Sequence, residues 1–570
     1  MIERRIEEFV REAISGCREN GDLVFEGDVQ FEISVPREEK HGDFSTNAAL
    51  VLARRVGKKP REVAQTIADR LASGVSEIDR VEVAGPGFIN FFMKPRIYLE
   101  GLREISDLGA AFGETNAGRG KRLQVEFVSA NPTGPLHIGH GRGAVYGDVL
   151  GNVLKAAGYD VSKEYYVNDA GNQIRTLGRS VLLRMRQQAG EDVKFPDECY
   201  QGGYVSGIAS DAAGSHGPEL SAMSEEEAIA FLGELAGERI LSEIRRDLAE
   251  TGVVHDAYFF ESRLHTDSAV ESAIGKLVER GHVFEEGGAQ WFRSTSFGDD
   301  KDRVMRKADG SLTYFASDIA YHKNKYERGF SRVIDIWGAD HGGYVGRMKA
   351  AIAALGYDPG SFDAVLIQLV NLVRGGEAVS MSTRSATYET LEDVRNEVGR
   401  DACRYFFLMR SHNAQLDFDL DLAKKHSADN PVYYIQYAHA RIASIFRKAA
   451  EAGMVPPGPK EVDLGLLDLP EEPKLARLLC ELPSVVSNCA EELEPHKLAF
   501  YLLEVARMFQ AYYSRGRKDD RYRVISDDRR RCEAKLFLLK NVQIVLQNAL
   551  RILGISAPER MEREIEESNV

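Results

Sequence analysis

Cysteine is scarce. None of the six (Cys17, Cys199, Cys403, Cys480, Cys489, Cys532) stands in a Cys-x-x-Cys pair. That argues against a zinc site or a disulfide framework and points to free thiols in a reducing compartment. Apolar runs are short. None approaches the ~20 residues of a membrane-spanning helix. The start, Met1-Ile2-Glu3-Arg4-Arg5, is charged and has no apolar signal-peptide core. A cytoplasmic location without a membrane partner is therefore expected. Positive charge is in deficit, with 73 Lys and Arg against 88 Asp and Glu and a net charge of −15. Nucleic-acid binders usually carry a basic footprint, so a nucleic-acid partner would need a local basic face on an acidic whole. Internal repeats are absent. The remaining composition, 43% hydrophobic and 28% charged, is that of a globular protein. At ~100–200 residues per domain, 570 residues make three or four units.

Three units follow from the pattern. Residues 1–115 read as a small α/β domain. Ile2, Ile6, Phe9, Val10 and Ile14 have helical spacing, and Phe31 to Val35 is a strand candidate. Val81 to Phe92 gives two strand-like runs around Gly85-Pro86-Gly87. Residues 116–400 alternate strand, glycine loop and helix. Leu123–Val128, Tyr165–Val167, Val333–Trp337 and Ala364–Val373 are the strands, with a helix from about His140 to Gly158. That alternation indicates α/β architecture with a doubly wound parallel sheet, interrupted by a helical insertion at about 175–300. Residues 401–570 read as all-helical. Asn430 and Pro431 form an N-cap and first turn, and Ile435, Ala438, Ile442 and Ile445 a core stripe. Residues 455–470 form a Pro- and Gly-rich loop.

The chemistry concentrates in Glu126 to Gly143, a segment that leaves a strand and enters a helix. A helix N-terminus presents unpaired N–H groups and partial positive charge to a phosphate. His137 and His140, three apart, lie on one side of the first turn and can donate to a phosphate oxygen that gains charge in a transition state. Gly139 between them allows close approach to the backbone. A histidine pair at a helix start is more often a capping or surface feature, so the wider context decides.

That context resembles a known family. His137-Ile138-Gly139-His140 resembles the HIGH signature of class I aminoacyl-tRNA synthetases. The whole run from Glu126 to Gly143 is similar to bacterial arginyl-tRNA synthetases. Tyr166 to Ile174, Trp337 to Tyr344, Asp429 to Arg441, Ala84 to Asn90 and Ala557 to Met561 resemble the same family, in order along the chain. The resemblance implies a Rossmann-like catalytic domain between an N-terminal domain that contacts the tRNA elbow and a helical anticodon-binding domain. It implies a reaction of L-arginine with ATP and Mg²⁺, then transfer to tRNA(Arg), by a monomer without zinc.

The resemblance also assigns residues. His137 and His140 act on the phosphates, and Gly139, Gly338 and Asp340 hold ATP. Glu126, Ser129 and Asn131 hold the arginine α-amino and carboxylate groups, Asp318 takes the guanidinium and Tyr314 closes over the stem, with His341 in the same pocket. His341 stands where relatives often carry glutamine. The second class I signature resembles Lys-Met-Ser-Thr-Arg-Lys-Gly; here it is Ser380-Met381-Ser382-Thr383-Arg384-Ser385-Ala386. Met381 and Ser382 would then touch ATP, and Arg384, with Arg374 nearby, is the charge left for pyrophosphate. A compensating lysine before the HIGH motif is also absent, since Thr133-Gly134 stands there. Tyr433, Gln436 and Tyr437, beside Ala440, are implied tRNA contacts, joined by the aromatic and basic run Phe509 to Arg517. Two further readings stay open: a tRNA-binding paralogue with little activity, and a generic nucleotidyltransferase on a similar sheet. The second leaves residues 433–441 and the N-terminal domain unexplained.

Overall fold

The computed structural model describes residues 2–36, 38–379 and 389–561. The N-terminal unit is an antiparallel sheet flanked by helices. Strands β1 (Ile33–Ser34), β2 (Phe44–Thr46), β3 (Ile78–Ala84) and β4 (Phe88–Met93) lie in the order β1-β2-β4-β3. The first helix, Ile2–Glu19, buries Ile2, Ile6, Val10, Ala13 and Ile14 at three- and four-residue spacing, the apolar stripe the sequence spells out. The strand expected over Phe31–Val35 shrinks to its middle two residues.

The central sheet consists of five parallel strands. They are β5 (Arg122–Glu126), β6 (Asp160–Val167), β7 (Ala257–Phe260) and, after the small antiparallel sheet β8 (Val283–Glu286), β9 (Ala289–Phe292) and β10 (Arg303–Arg306), the strands β11 (Arg332–Gly338) and β12 (Phe362–Ile367). Their order is β12-β11-β5-β6-β7. The chain runs from β5 outward to β6 and β7 on one side and to β11 and β12 on the other. This reversal opens a crevice at the carboxyl ends of β5 and β11, where doubly wound sheets bind ligands.

Three local expectations are corrected. Within residues 175–300 the helices Asn172–Gln188, Gly203–Leu220 and Glu225–Glu250 are followed by β7, which joins the main sheet, and by the β8–β9 hairpin. Short apolar runs fit buried strand and buried helix alike, so periodicity alone left β7 hidden. The run Ala364–Val373 is two strands. β12 ends at Ile367, and β13 (Val370–Arg374) belongs to another sheet with β14 (Glu377–Ala378) and β15 (Leu416–Asp419). That β15 lies in a stretch read as helical. Its four residues alternate buried and exposed, a period of two too brief to stand out among helices.

The C-terminal unit carries the capped helix Pro431–Glu451. Asn430 Oδ1 accepts from the backbone N–H groups of Val432 (3.2 Å) and Tyr433 (3.4 Å), and the four stripe residues are buried. The helix Arg529–Leu553 is long and apolar enough to cross a membrane, yet its apolar stretch is 72% buried within the protein. Arg404, wholly buried, staples the units. It donates to Asp148 Oδ2 (2.6 Å) and to the carbonyls of Leu553, Thr251 and Gly252. All six cysteines are buried and free.

Candidate active site

After β5 the backbone turns through Val128 (φ 70°) and Ser129 (φ 41°), both in the left-handed region. For a β-branched valine this is an outlier, held only where its surroundings enforce it. Here Ser129 Oγ donates to Glu126 Oε1 (2.9 Å) and accepts from the Tyr166 N–H (3.1 Å). Buried Phe127 stacks on His255 with ring centres 4.2 Å apart.

The chain then enters the helix Ile138–Ala156, which the two histidines cap themselves. Gly139 N–H donates to His137 Nδ1 (3.1 Å), and the His137 N–H donates to His140 Nδ1 (3.3 Å). The rings stack 3.7 Å apart. Because each Nδ1 accepts, each ring proton resides on Nε2. Burial pushes both imidazoles down, His140 to about 3 with the neighbouring His137 charge adding to the effect. At neutral pH the pair therefore presents uncharged Nε2–H donors with fixed tautomers. A Cβ on Gly139 would stand 2.9 Å from His137 Cε1, so glycine keeps that ring in place.

A cavity of about 540 Å³ lies in the crevice, lined by Asn131, both histidines, Gly139, Gly338 and Asp340, and by Gln368 and Leu369. A second cavity of about 960 Å³ shares Asn131 and both histidines and is walled by residues 197–204, including Tyr200 and Tyr204.

Behind the β5 turn lies a carboxylate cluster in two layers. The deeper layer holds its own cations. Lys325, fully buried, bridges Glu126 Oε2 (2.5 Å) and Asp335 Oδ1 (2.7 Å), and His322 Nε2 sits 2.9 Å from Asp335 Oδ2. Arg328 pairs twice with Glu164 (2.6 and 2.8 Å). The upper layer is not balanced. Asp318, one turn into the helix Tyr314–Glu327, accepts from the Tyr344 hydroxyl. Glu261, at the end of β7, is 6% exposed. It is bonded by the Tyr166 hydroxyl and, with the amide oriented to satisfy its bonds, by Asn168 at 3.1 Å. Burial raises both carboxyls; the Tyr344 bond partly offsets this at Asp318 and the Tyr166 bond at Glu261, while the Asp318 charge adds to the rise at Glu261. Among the described residues, no Lys or Arg lies within ion-pairing distance of either, and Glu261 has only His265, at 3.8 Å. Two desolvated carboxylates without a strong counter-ion suit a planar cation with several donors, which is a guanidinium.

Glu261→Gln is accordingly expected to raise the arginine KM about 10- to 100-fold, the worth of one charged hydrogen bond. The ATP KM should stay level; steady-state kinetics with each substrate varied in turn checks this.

Family models match the chain in three segments: an arginyl-tRNA synthetase N-terminal domain over residues 4–93, a class I (R) tRNA synthetase catalytic domain over residues 108–197 and 244–419, and a DALR anticodon-binding domain over residues 435–561. The arginine–tRNA ligase of Syntrophotalea carbinolica is 51% identical over 560 residues, covering 98% of this chain and 100% of that one. The chain belongs to the arginyl-tRNA synthetases. The arginine–tRNA ligase of Citrifermentans bemidjiense is 48% identical, covering 97% of this chain and 99% of its own. The crystal structure of the Thermus thermophilus arginyl-tRNA synthetase, 24% identical, shares the fold with a TM-score of 0.72 over 98% of this chain and 100% of that one.

The synthetase brings Asn131, His137, Gly139, His140, Gly338, Asp340 and His341 to the lining of one cleft. Ser129 lines it too, and its hydroxyl reaches back to Glu126. Both Glu126 oxygens are engaged inside the protein, by Ser129 and Lys325. Tyr314, 65% exposed, stands one helical turn before Asp318. Met381, Ser382 and Arg384 lie outside the described residues. Sequence reasoning missed Glu261, Lys325 and Tyr344. Lys325 carried a signal, two helical turns after Asp318 on the same face; Glu261 carried none beyond its place after an apolar run.

On the helical domain, the rings of His426, Tyr433 and Tyr437 stack in a row, with centres 5.6 and 6.0 Å apart. Arg441 then lies over Tyr437 (4.5 Å) and Tyr513 (5.2 Å). A groove of about 470 Å³ there is lined by Tyr437, Arg441, Arg447, Lys448, Tyr513 and Arg517. This is a local basic and aromatic face on an acidic protein. Gln436 differs from its neighbours: its amide nitrogen donates to Asp401 Oδ2 (2.7 Å) and to Ser556 (3.1 Å), holding the end of the chain. Phe509 and Tyr512 are core residues; of that run, Tyr513 and Arg517 line the groove.

Proposed function

We propose that the crevice joins L-arginine to ATP and then to the 3′ end of tRNA(Arg), as an arginine–tRNA ligase. The observation that carries this reading is the upper carboxylate layer, Asp318 and Glu261, beside a cleft whose wall holds two neutral Nε2–H donors. The guanidinium supplies the missing counter-charge to Asp318 and Glu261, and Tyr314 covers the aliphatic stem. The arginine carboxylate, held near Asn131, attacks the α-phosphorus of ATP, and pyrophosphate leaves. His137 and His140 donate to the phosphate oxygens as negative charge builds, without moving a proton. Gly139 leaves room for the nucleotide, and Asp340 accepts from ribose hydroxyls. Mg²⁺ enters with ATP as part of that substrate. A terminal ribose hydroxyl of tRNA then attacks the carbonyl carbon of the adenylate, and AMP leaves. The enzyme acts as a cytoplasmic monomer in this reading. A paralogue without activity gains no support, since the donors and both carboxylates are in place.

Aminoacylation of tRNA(Arg) transcript with radiolabelled arginine, with lysine as control, tests the function. Arginine-specific charging is expected; tight tRNA binding without charging would refute it. The row of Tyr433 and Tyr437 is read as a stacking platform for unpaired anticodon-loop bases. Tyr437→Ala should therefore raise the tRNA KM about tenfold or more, since a base–aromatic stack is worth ~1–3 kcal/mol. If the tRNA KM holds, the platform is elsewhere.

A further inference from the structure

The helix that begins beside His137 carries a group that no role above uses. Arg142 is wholly buried, and among the described residues it pairs with no carboxylate. Its guanidinium donates to three backbone carbonyls: Gln368 (2.8 Å), Ala414 (2.9 Å) and Ser411 (2.9 Å). Its Nε has no partner. An uncompensated buried charge is costly, and an apolar side chain of similar length would fill the space without that cost. The bonds themselves therefore need a reason.

Their placement supplies one. Gln368 and Leu369 form the break between β12 and β13, and both line the nucleotide cleft. A strand break leaves backbone groups without a ladder, and here the loop 411–416 replaces it. Gln368 N–H donates to the His412 carbonyl (2.8 Å), Leu416 N–H donates to the Leu369 carbonyl (3.1 Å), and His412 Nδ1 sits 3.0 Å from the Leu366 carbonyl. Arg142 hydrogen-bonds both this loop and the break to the helix bearing His137 and His140, and Tyr146 of the same helix packs edge-on against His412, ring centres 5.9 Å apart. The signature helix and the break both line the cleft.

We propose that Arg142 is a positioning residue for the nucleotide: its forked guanidinium sets the distance between the Gln368–Leu369 break and the helix that bears the histidines. This rests on the reading of the cleft as the ATP site. A planar fork can hold carbonyls from two segments at once, whereas a lysine ammonium is a point donor on a flexible stem. The substitution Arg142→Lys thus keeps the charge and loses the clamp.

The test uses the two tryptophans of the chain, Trp291 and Trp337. Trp337 lines the cleft, so in a Trp291→Phe background its fluorescence reports ATP binding. Arg142→Lys is expected to weaken the ATP Kd about tenfold, the worth of one or two lost hydrogen bonds, while the arginine KM stays within twofold. His412→Ala, which loses the bond to Leu366 and the edge contact with Tyr146 but leaves the Arg142 bonds in place, should show the same selective effect at about two- to fivefold. A lower Tm with unchanged ATP affinity in both variants would overturn the proposal, leaving Arg142 a structural staple. Equal losses for ATP and arginine would overturn it as well. If the parent protein gave neither a fluorescence response nor arginine-dependent ATP–pyrophosphate exchange, the ATP reading of the cleft would fall first, and the proposal with it.

Discussion

Asp318→Asn is expected to raise the KM for arginine about 100-fold, with the ATP KM unchanged and the fold as stable as before or more so. The loss follows from replacing a charged acceptor by a neutral amide opposite a guanidinium, in a pocket where water cannot take over the role. The stability gain follows from linkage. Burial raises the Asp318 carboxyl above its ordinary value, so the unfolded chain ionises this group more readily than the native one. Stability at this group is therefore highest below its unfolded pKa and falls as pH rises through the window up to the raised native value. Above the raised native value the native protein bears the full cost, and Asn removes it. A Tm difference that shrinks on acidification is the expected signature in calorimetry. Arginine binding runs the other way with pH, because it needs the carboxylate ionised and weakens as pH falls through the raised value. An unchanged arginine KM would place the guanidinium elsewhere, and a marked drop in Tm would make Asp318 a structural residue.

His140→Ala should slow arginine-dependent ATP–pyrophosphate exchange about 100- to 1,000-fold, the usual cost of losing one donor aimed at developing charge. Affinity for tRNA should barely move, because the stacked tyrosines and the basic groove lie on another domain. A pH effect accompanies the change. The His140 imidazole is pushed down to about 3 by burial, whereas an exposed histidine titrates near ~6.5. Unfolding therefore takes up a proton between these values. The native state is favoured in full above the unfolded pKa and loses that stability as pH falls toward the native one. His140→Ala should flatten this part of the acid-stability curve. The exchange rate of the parent enzyme should show no titration from His140 between pH 6 and 8. Equal losses in exchange and tRNA binding would argue against the assigned role.

Local patterns in the chain map directly onto parts of the site. His137 and His140 are three residues apart, and that spacing alone brings them onto one helical turn, where they cap it. Asn430 and Pro431 start their helix as the chain order requires. Tyr314 and Asp318 share a helix face for the same reason. Short-range geometry governs each of these, and short-range geometry is what sequence spacing encodes. Gln436 shows where that reasoning stops: its position on the helix is legible, but its partners Asp401 and Ser556 are far along the chain.

By itself, then, the sequence determined the elements whose hydrogen bonds close within a few residues, the family signatures carried by contiguous runs, and the order of the three units. Only the tertiary structure decided that β7 joins the main sheet, that the run 364–373 divides between two sheets, and that Glu261 lies close enough to Asp318 to feel its charge. It also decided the charges. Lys325 bridges Glu126 and Asp335 while Asp318 and Glu261 lack a strong partner, because a carboxylate's proton affinity depends on which groups long-range packing buries beside it, and composition along the chain does not contain that distance.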